Sequence, residues 1–276
     1  MNNIPQQCLV IGDPIQHSLS PLIHNAGYEA LHIEKEFHFE SQQVPKHALE
    51  QFIRYVRHQG IRGISVTIPH KVSVMNYLDI IDDGAQEIGA VNTIVYEGGI
   101  LHGYNTDWLG IIEPLKKRTG LQHKKVVILG AGGAARAAVY GMKREHAKVW
   151  IMNRTTIKGK ELAQELNCEF AHWNDKKILA LSDIIINTTP VGMFPHIQES
   201  PLSKDVLLQK HIVFDIVYHP WETTFLQYAK EKGSTIIHGT EMFIYQAVEQ
   251  FRLYTGKEAP IEDMEHILLQ RLQRDI

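Results

Sequence analysis

Short runs of consecutive apolar residues alternate with amphipathic stretches along most of the chain. Cys8–Ile11, Phe37–Phe39, Ile64–Val66, Val126–Leu129, Val149–Met152, Ile184–Ile186, Ile212–Phe214 and Thr235–Ile237 have the length and composition of β-strands. In VVIL (126–129) and III (184–186) every residue is apolar, the pattern of a strand covered on both faces in a parallel sheet. Helical spacing fills the intervals at Pro45–Gln59, Thr106–Arg118, Ala134–Glu145, Thr156–Leu166 and Thr223–Lys232. Strand–helix–strand alternation predicts an α/β fold with right-handed crossovers. The alternation stops near the C-terminus, where Thr240–Tyr254 and Ile261–Arg274 read as two successive helices. TGKEAP separates them with a glycine stop followed by a proline.

At 276 residues the chain is long for one domain. The helix ending near Thr119 and the polar segment RTGLQHKK after it suggest a division there. The expected organisation is an N-terminal α/β domain over 1–107, a central domain over 108–239 and C-terminal helices over 240–276. Hydrophobic residues make up 44% and charged residues 21%, which excludes a disordered, collagenous or coiled-coil protein. With 28 lysines and arginines against 31 aspartates and glutamates, the net charge of −3 lacks the footprint of a nucleic-acid binder. Cys8 and Cys168 form no CxxC pair, which argues against a disulfide framework or a thiolate zinc site and suits a reducing compartment. The sixteen histidines are scattered without HExxH spacing, so no metal site is expected. No basic segment followed by an apolar stretch opens the chain, and no uncharged apolar run approaches the ~18–20 residues that cross a bilayer. A soluble cytoplasmic protein without membrane or nucleic-acid partners is expected.

The strongest motif follows the run Val126–Leu129. Gly130, Gly132 and Ala135 fit G-x-G-x-x-A between an apolar strand and an alanine-rich helix, with Ala131, Gly133 and Ala134 completing the loop. Gly130 permits a tight turn, Gly132 lets the backbone approach a pyrophosphate, and Ala135 lets helix and strand pack closely. The helix start then presents N–H groups and partial positive charge to the phosphates. A tight turn without ligand is the plainer alternative. The next strand ends in Asn153-Arg154-Thr155, with Lys158 just beyond, where an NAD site usually carries an acid for the ribose hydroxyls. A 2′-phosphate carries roughly −1.5 to −2 charge, and a guanidinium binds it through charge-assisted bonds while stacking on adenine. The turn therefore favours NADP(H) over NAD.

Candidate substrate-side residues lie at other strand ends. In GDPIQHSLSPLIHN, Ser20 before Pro21 suits a helix N-cap, whereas Ser18 has no capping role; two hydroxyls at i and i+2 also suit a carboxylate or diol. TIPHK places Thr67 and Lys71 after Ile64–Val66. Lys71 is expected in the first turn of a helix, the wrong end for a cation by ~0.3–1 kcal/mol, which would ease proton loss. GYNTDWLG puts Asp107 at another helix start, where an acid is favoured without any chemistry, yet an amine and a carboxylate at such junctions also form an acid–base pair. Asn92 in GAVNT suits either a turn or a bond to a hydroxyl.

GxPxxHSxSPxxHN, TxPxK, GAVNT, NTD, GAGGAARA, NRT, D-x-x-Y-x-P and GxxM-x-x-x-Q occur in that order from about Ile11 to Phe251. Together they resemble the shikimate dehydrogenase family. The resemblance implies a substrate domain, a Rossmann-type NADP-binding domain, and C-terminal helices returning to the first. It also implies reversible reduction of 3-dehydroshikimate to shikimate by NADPH on the chorismate route to aromatic amino acids. By similarity Lys71 is the proton donor or acceptor at the C3 oxygen and Asp107 its partner. Ser18 and Ser20, with Tyr218 of DIVYHP, hold the carboxylate, and Thr67, Asn92, Asp107 and Gln246 bind hydroxyls. Gly130–Ala134 and Asn153–Lys158 match the diphosphate and adenosine-phosphate segments; Ile216, Gly239 and Met242 match the nicotinamide end, and Asp83 approaches the cofactor. Phe243 stands where leucine is frequent. A monomer or homodimer is expected. The rival readings are a redox-sensing Rossmann protein without turnover and a related two-domain reductase such as methylenetetrahydrofolate dehydrogenase.

Overall fold

Two six-stranded sheets organise the chain, one in each of the two units into which it divides. The computed structural model describes residues 5–273. The first unit takes the chain up to Thr106 and resumes at Gln246; the second runs Asp107–Tyr245.

The first sheet is built from β1 (Gln6–Gly12), β2 (Phe37–Gln43), β3 (Gly63–Val66), β4 (Ile80–Ile81), β5 (Thr93–Glu97) and β6 (Ile100–Tyr104), in the order β2-β1-β3-β5-β6-β4. It is mixed: β2-β1-β3 run parallel, whereas β5 is antiparallel to both β3 and β6. The alternation that predicts crossovers misses β5 and β6, because they form a hairpin rather than a strand–helix unit. Gly98 and Gly99, both at positive φ, supply its two-residue turn, and Glu97 pairs with Ile100. Leu9, Ile11, Ile64, Val66 and Ile94 share a core cluster with Ile53 and Val56 of α2 (Leu49–Gln59). The helix α1 (Ser20–Ala30) and the short α3 (Asp83–Ile88) complete the N-terminal part.

The second sheet contains β7 (Lys125–Leu129), β8 (Lys148–Met152), β9 (Glu169–Ala171), β10 (Ile184–Asn187), β11 (Ile212–Asp215) and β12 (Thr235–Ile237). All its pairings are parallel, in the order β12-β11-β10-β7-β8-β9. The helices α4 (Asp107–Lys116), α5 (Gly133–Arg144), α6 (Thr156–Glu165), α7 (Lys176–Leu181) and α8 (Thr224–Glu231) connect or flank the strands. The wholly apolar runs behave as expected of a doubly covered sheet. Val126, Ile128, Ile184 and Ile186 pack into one cluster, and their neighbours Val127, Leu129 and Ile185 into another. Strand order reverses between β7 and β10, the switch point at which such sheets bind ligands.

Two long helices end the chain: α9 (Gly239–Thr255) and α10 (Ile261–Gln273), the latter packed on α1. The expected helix to Arg274 is described as far as Gln273, Arg274 lying outside the described residues. Among the described residues no helix is long and apolar enough to cross a membrane.

Candidate active site

In the first unit the sequence candidates cluster at strand ends. β1 stops at Gly12, where an added Cβ would stand 2.6 Å from Thr67 Cγ2 and 2.9 Å from the Ile68 carbonyl oxygen. Glycine lets the end of β1 lie against the loop after β3. Thr67 N–H donates to the Ile11 carbonyl (2.9 Å), and Asp13 N–H to the Ile68 carbonyl (3.0 Å). Ser18 and Ser20 come together, with hydroxyls 3.3 Å apart. Ser20 does not take its expected capping role. The first helical residue of α1 is Ser20, its N-cap is Leu19 without a side-chain cap bond, and the Ser18 oxygen accepts the Ser20 N–H at 3.3 Å. Pro21 has no N–H to offer, so the upstream serine serves the donor beside it.

Lys71 departs from its expected place in a first helical turn. It sits in a turn ahead of a five-residue 3-10 helix, Ser73–Tyr77. So short a segment sums few peptide dipoles, and the field argument for easier proton loss falls away. The Lys71 carbonyl accepts the Val91 N–H at 2.7 Å. Asn92, buried at the bend before β5, accepts the Thr93 hydroxyl (2.7 Å) and the Thr106 N–H (2.7 Å) on Oδ1 and donates from Nδ2 to Thr106 Oγ1 (3.0 Å). Asn105 Nδ2 donates to the Ala90 carbonyl at 2.8 Å. Residues 90–92 thus hold the Lys71 backbone and also the Asn105–Thr106 segment that leads into Asp107. Gln246 is buried in α9. Asp83 is exposed in the first turn of α3, behind an Asp82 N-cap that accepts the Gly84 N–H at 2.9 Å. It lies in the first unit, whereas every other cofactor candidate lies in the second, and an acid at a helix start is favoured by the peptide dipoles alone.

In the second unit Asp107 opens α4 as a buried first-turn acid. The loop from β7 to α5 has the expected form. Gly130 adopts φ +117°, and a Cβ there would meet Thr188 Oγ1 at 2.7 Å. The Thr188 hydroxyl and N–H both donate to the Leu129 carbonyl (2.7 and 2.9 Å), fastening the ends of β10 and β7 at the switch point. Gly132 is the N-cap of α5, and no protein atom lies within 4 Å of the Cβ it lacks. Packing does not require that glycine, and the open space there leaves the helix N–H groups accessible. Ala131, Gly133 and Ala134 are partly exposed beside it, and Ala135 is buried in the core. At the end of β8, Asn153 Nδ2 donates to the Thr155 carbonyl (2.9 Å); Arg154 and Thr155 on the turn and Lys158 at the start of α6 are exposed, with no carboxylate among residues 153–158. These residues fit the diphosphate and 2′-phosphate of NADP(H).

The structure also gathers Ile216, Gly239 and Met242. A Cβ on Gly239 would stand 2.4 Å from the Val217 carbonyl oxygen and 2.6 Å from that of Ile216, so the start of α9 presses directly on that segment. Ile216 and Met242 share a core cluster. Tyr218 packs on Phe243 with ring centroids 4.7 Å apart, and burial pushes its phenol up to about 12. Asp215, the acid of D-x-x-Y-x-P, carries no role from sequence alone. It is fully buried and accepts Asn187 Nδ2–H (2.9 Å), Val217 N–H (3.1 Å) and the Thr223 hydroxyl (2.7 Å). Burial, opposed by these bonds, pushes its carboxyl up to about 7. The motif is the available signal; two of the donors follow Asp215 within eight residues, and the third comes from β10.

Residues 10–94 match the family model described as shikimate dehydrogenase substrate binding domain, 113–217 that of shikimate / quinate 5-dehydrogenase, and 239–269 that of the shikimate 5′-dehydrogenase C-terminal domain. A protein of Caldanaerobacter subterraneus subsp. tengcongensis named shikimate dehydrogenase (NADP(+)) is 41% identical over 256 residues, covering 90% of this chain and 91% of its own. A solved shikimate dehydrogenase in complex with NADP+ matches with a TM-score of 0.92 at 37% identity, over 99% of this chain and 97% of the other. Shikimate 5-dehydrogenase from Thermus thermophilus, solved in complex with NADP(H) and shikimate, matches with a TM-score of 0.89 at 33% identity, over 96% and 98%. Similarity of this degree extends through both units and over nearly the full length of each relative, and the chain belongs to the shikimate dehydrogenase family.

Proposed function

We propose that the chain reduces 3-dehydroshikimate reversibly to shikimate with NADPH, a step of the chorismate route to aromatic amino acids. One observation carries the cofactor assignment. An open Gly132 helix start at the switch point is followed, at the end of the next strand, by exposed Arg154 and Lys158 and no acid. The substrate assignment rests on kinship along the whole chain with shikimate dehydrogenases.

In this reading residues 1–107, with the helices of 240–276, bind substrate, and residues 108–239 bind NADP(H). Ser18, Ser20 and Tyr218 take the ring carboxylate; Thr67, Asn92, Asp107 and Gln246 take the hydroxyls. Gly130–Ala134 bind the diphosphate and Asn153, Arg154, Thr155 and Lys158 the adenosine phosphate, with Ile216, Gly239 and Met242 at the nicotinamide end and Asp83 nearby. NADPH supplies a hydride to the C3 carbon. Lys71, as an ammonium, stabilises the charge growing on the C3 oxygen and gives it a proton; in the reverse direction its amine takes the proton of the C3 hydroxyl. Asp107 is the hydrogen-bonding partner of that ammonium in this reading. Support comes from residues 90–92, which bind the Lys71 carbonyl on one side and Thr106, the residue before Asp107, on the other.

The protein acts on small molecules in the cytoplasm, as a monomer or homodimer. Mixing it with shikimate and NADP+ and following reduced-nicotinamide absorbance tests the assignment. Turnover is expected, with NAD+ and quinate poorer in parallel reactions; no turnover with shikimate and either nucleotide refutes it.

A further inference from the structure

We propose that Gln250 and Thr93 form a buried hydrogen-bond relay that sets the orientation of the Asn92 side-chain amide, and so positions a residue that reads the substrate's hydroxyls. The inference deepens the functional reading above and rests on it.

The oxygen and nitrogen ends of an amide have nearly the same shape, so only neighbouring donors and acceptors decide which way it points. Here the polarity is forced step by step. Ser65 Oγ–H donates to Gln250 Oε1 at 2.7 Å. Gln250 Nε2 donates to Thr93 Oγ1 at 2.9 Å and to the Asn92 main-chain carbonyl at 3.3 Å. That carbonyl only accepts, which places the nitrogen end of Gln250 on this side. A hydroxyl has one proton; with its oxygen accepting from Gln250, Thr93 directs that proton to Asn92 Oδ1 at 2.7 Å. The oxygen end of Asn92 also receives the Thr106 N–H, a group that only donates. The relay starts at Tyr254, whose hydroxyl lies 3.1 Å from Ser65 Oγ and whose phenol is held protonated by burial. The direction is therefore Tyr254 to Ser65 to Gln250 to Thr93 to Asn92.

Ser65, Asn92, Thr93, Gln250 and Tyr254 are all buried. Away from water a reversed amide would set donor against donor, and a mispaired buried polar group is costly. Gln250 also lies one helical turn beyond Gln246 on α9, the four-residue spacing that puts two side chains on one face. One buried side chain thus couples the helix bearing Gln246 to the strand start bearing Asn92, segments more than 150 residues apart in sequence. Gln250, Thr93 and Ser65 are positioning residues in this scheme.

Thr93→Val keeps the shape of the side chain and removes the hydroxyl; Thr93→Ser keeps the hydroxyl. Steady-state kinetics should show Thr93→Val raising KM for shikimate about tenfold, the loss of roughly one buried hydrogen bond, with KM for NADP+ within about twofold. Thr93→Ser and wild type should agree, and Gln250→Leu should follow Thr93→Val. A folded Thr93→Val protein with an unchanged shikimate KM, or with both KM values raised alike, overturns the relay. Side-chain amide exchange, followed by NMR on the wild-type protein, reads the relay without any variant. Slow exchange at Asn92 and Gln250 is expected, and exchange as fast as that of a surface amide overturns it. Failure of wild type to oxidise shikimate sinks the functional assignment instead, and leaves the amide measurement to judge the relay.

Discussion

Gly239 shows how much a single absent methyl group decides. Its missing Cβ would lie 2.4 Å from the Val217 carbonyl oxygen, inside any real contact distance, and main chain moves less readily than a side chain. Gly239→Ala should therefore cost about 1–3 kcal/mol, as over-packing does, read as a lower urea midpoint. It should also raise KM for NADP+, because Ile216 is displaced with Val217; an unchanged midpoint would show that α9 yields freely. At Lys71 the expectation concerns rate. A positioned general acid contributes about 10²–10⁴-fold, so Lys71→Ala should lower kcat by that factor and leave KM for shikimate within a few-fold. A kcat near wild type would remove the amine from the proposed proton transfer.

Among the elements, the β8–α6 connection is the one to which the proposed cofactor preference is assigned. Arg154 and, in the first turn of α6, Lys158 are exposed where a carboxylate would serve a ribose diol, and Asn153 Nδ2 braces the turn's backbone. Arg154→Ala should raise KM for NADP+ roughly tenfold or more, the scale of a charge-assisted pair, and leave KM for NAD+ nearly unchanged. Equal losses with both nucleotides would mean that the arginine supports the turn and does not read the phosphate. The β5–β6 hairpin teaches a different lesson. Its Gly-Gly turn after the β-branched run Thr93–Val95 is a readable signal, but strand–helix alternation is the wrong template for it. Asn92, which by sequence suits either a turn or a bond to a hydroxyl, is the buried junction between the loop after β3 and the segment leading to Asp107.

At the scale of the whole molecule, buried ionisable groups set the response to acid, and two of them pull in opposite directions. His24 stacks on Phe39 at 4.3 Å inside the first unit, and burial lowers its pKa to about 3. The unfolded chain takes up a proton near 6.5 and the folded one does not, so stability is intact above that pH and is lost as pH falls toward 3. Asp215 has the opposite sign: its raised pKa makes the folded state hold a proton more tightly, favouring it as pH falls from about 7 toward 4. Relative to wild type, His24→Phe should thus become progressively more stable between about pH 6.5 and pH 4, measured by urea midpoints at each pH. A constant difference across that range would show that His24 does not titrate on unfolding. Cys8 and Cys168 take no part near neutrality, since burial pushes their thiols up to about 12 and about 11.

What the amino-acid order determined by itself is local. Runs apolar at every residue point to β7 and β10 of the second sheet, because a strand covered on both faces has no polar positions, whereas the short β9, Glu169–Ala171, gives no such signal. Gly130, Gly132 and Ala135 announced the phosphate loop, because its chemistry is backbone approach within a few residues. The bonds around Asn92 and Asp215 were decided only by the tertiary structure. Some of their partners are sequence neighbours, such as Thr93 and Val217, but Thr106, Asn187 and Gln250 come from 14 to 158 residues away, and a hydrogen bond depends on distance and direction in space, which residue spacing along the chain does not encode. The same reason separates the two serines: by sequence Ser20 suits the cap and Ser18 does not, and only the folded backbone made Ser18 the acceptor of the Ser20 N–H.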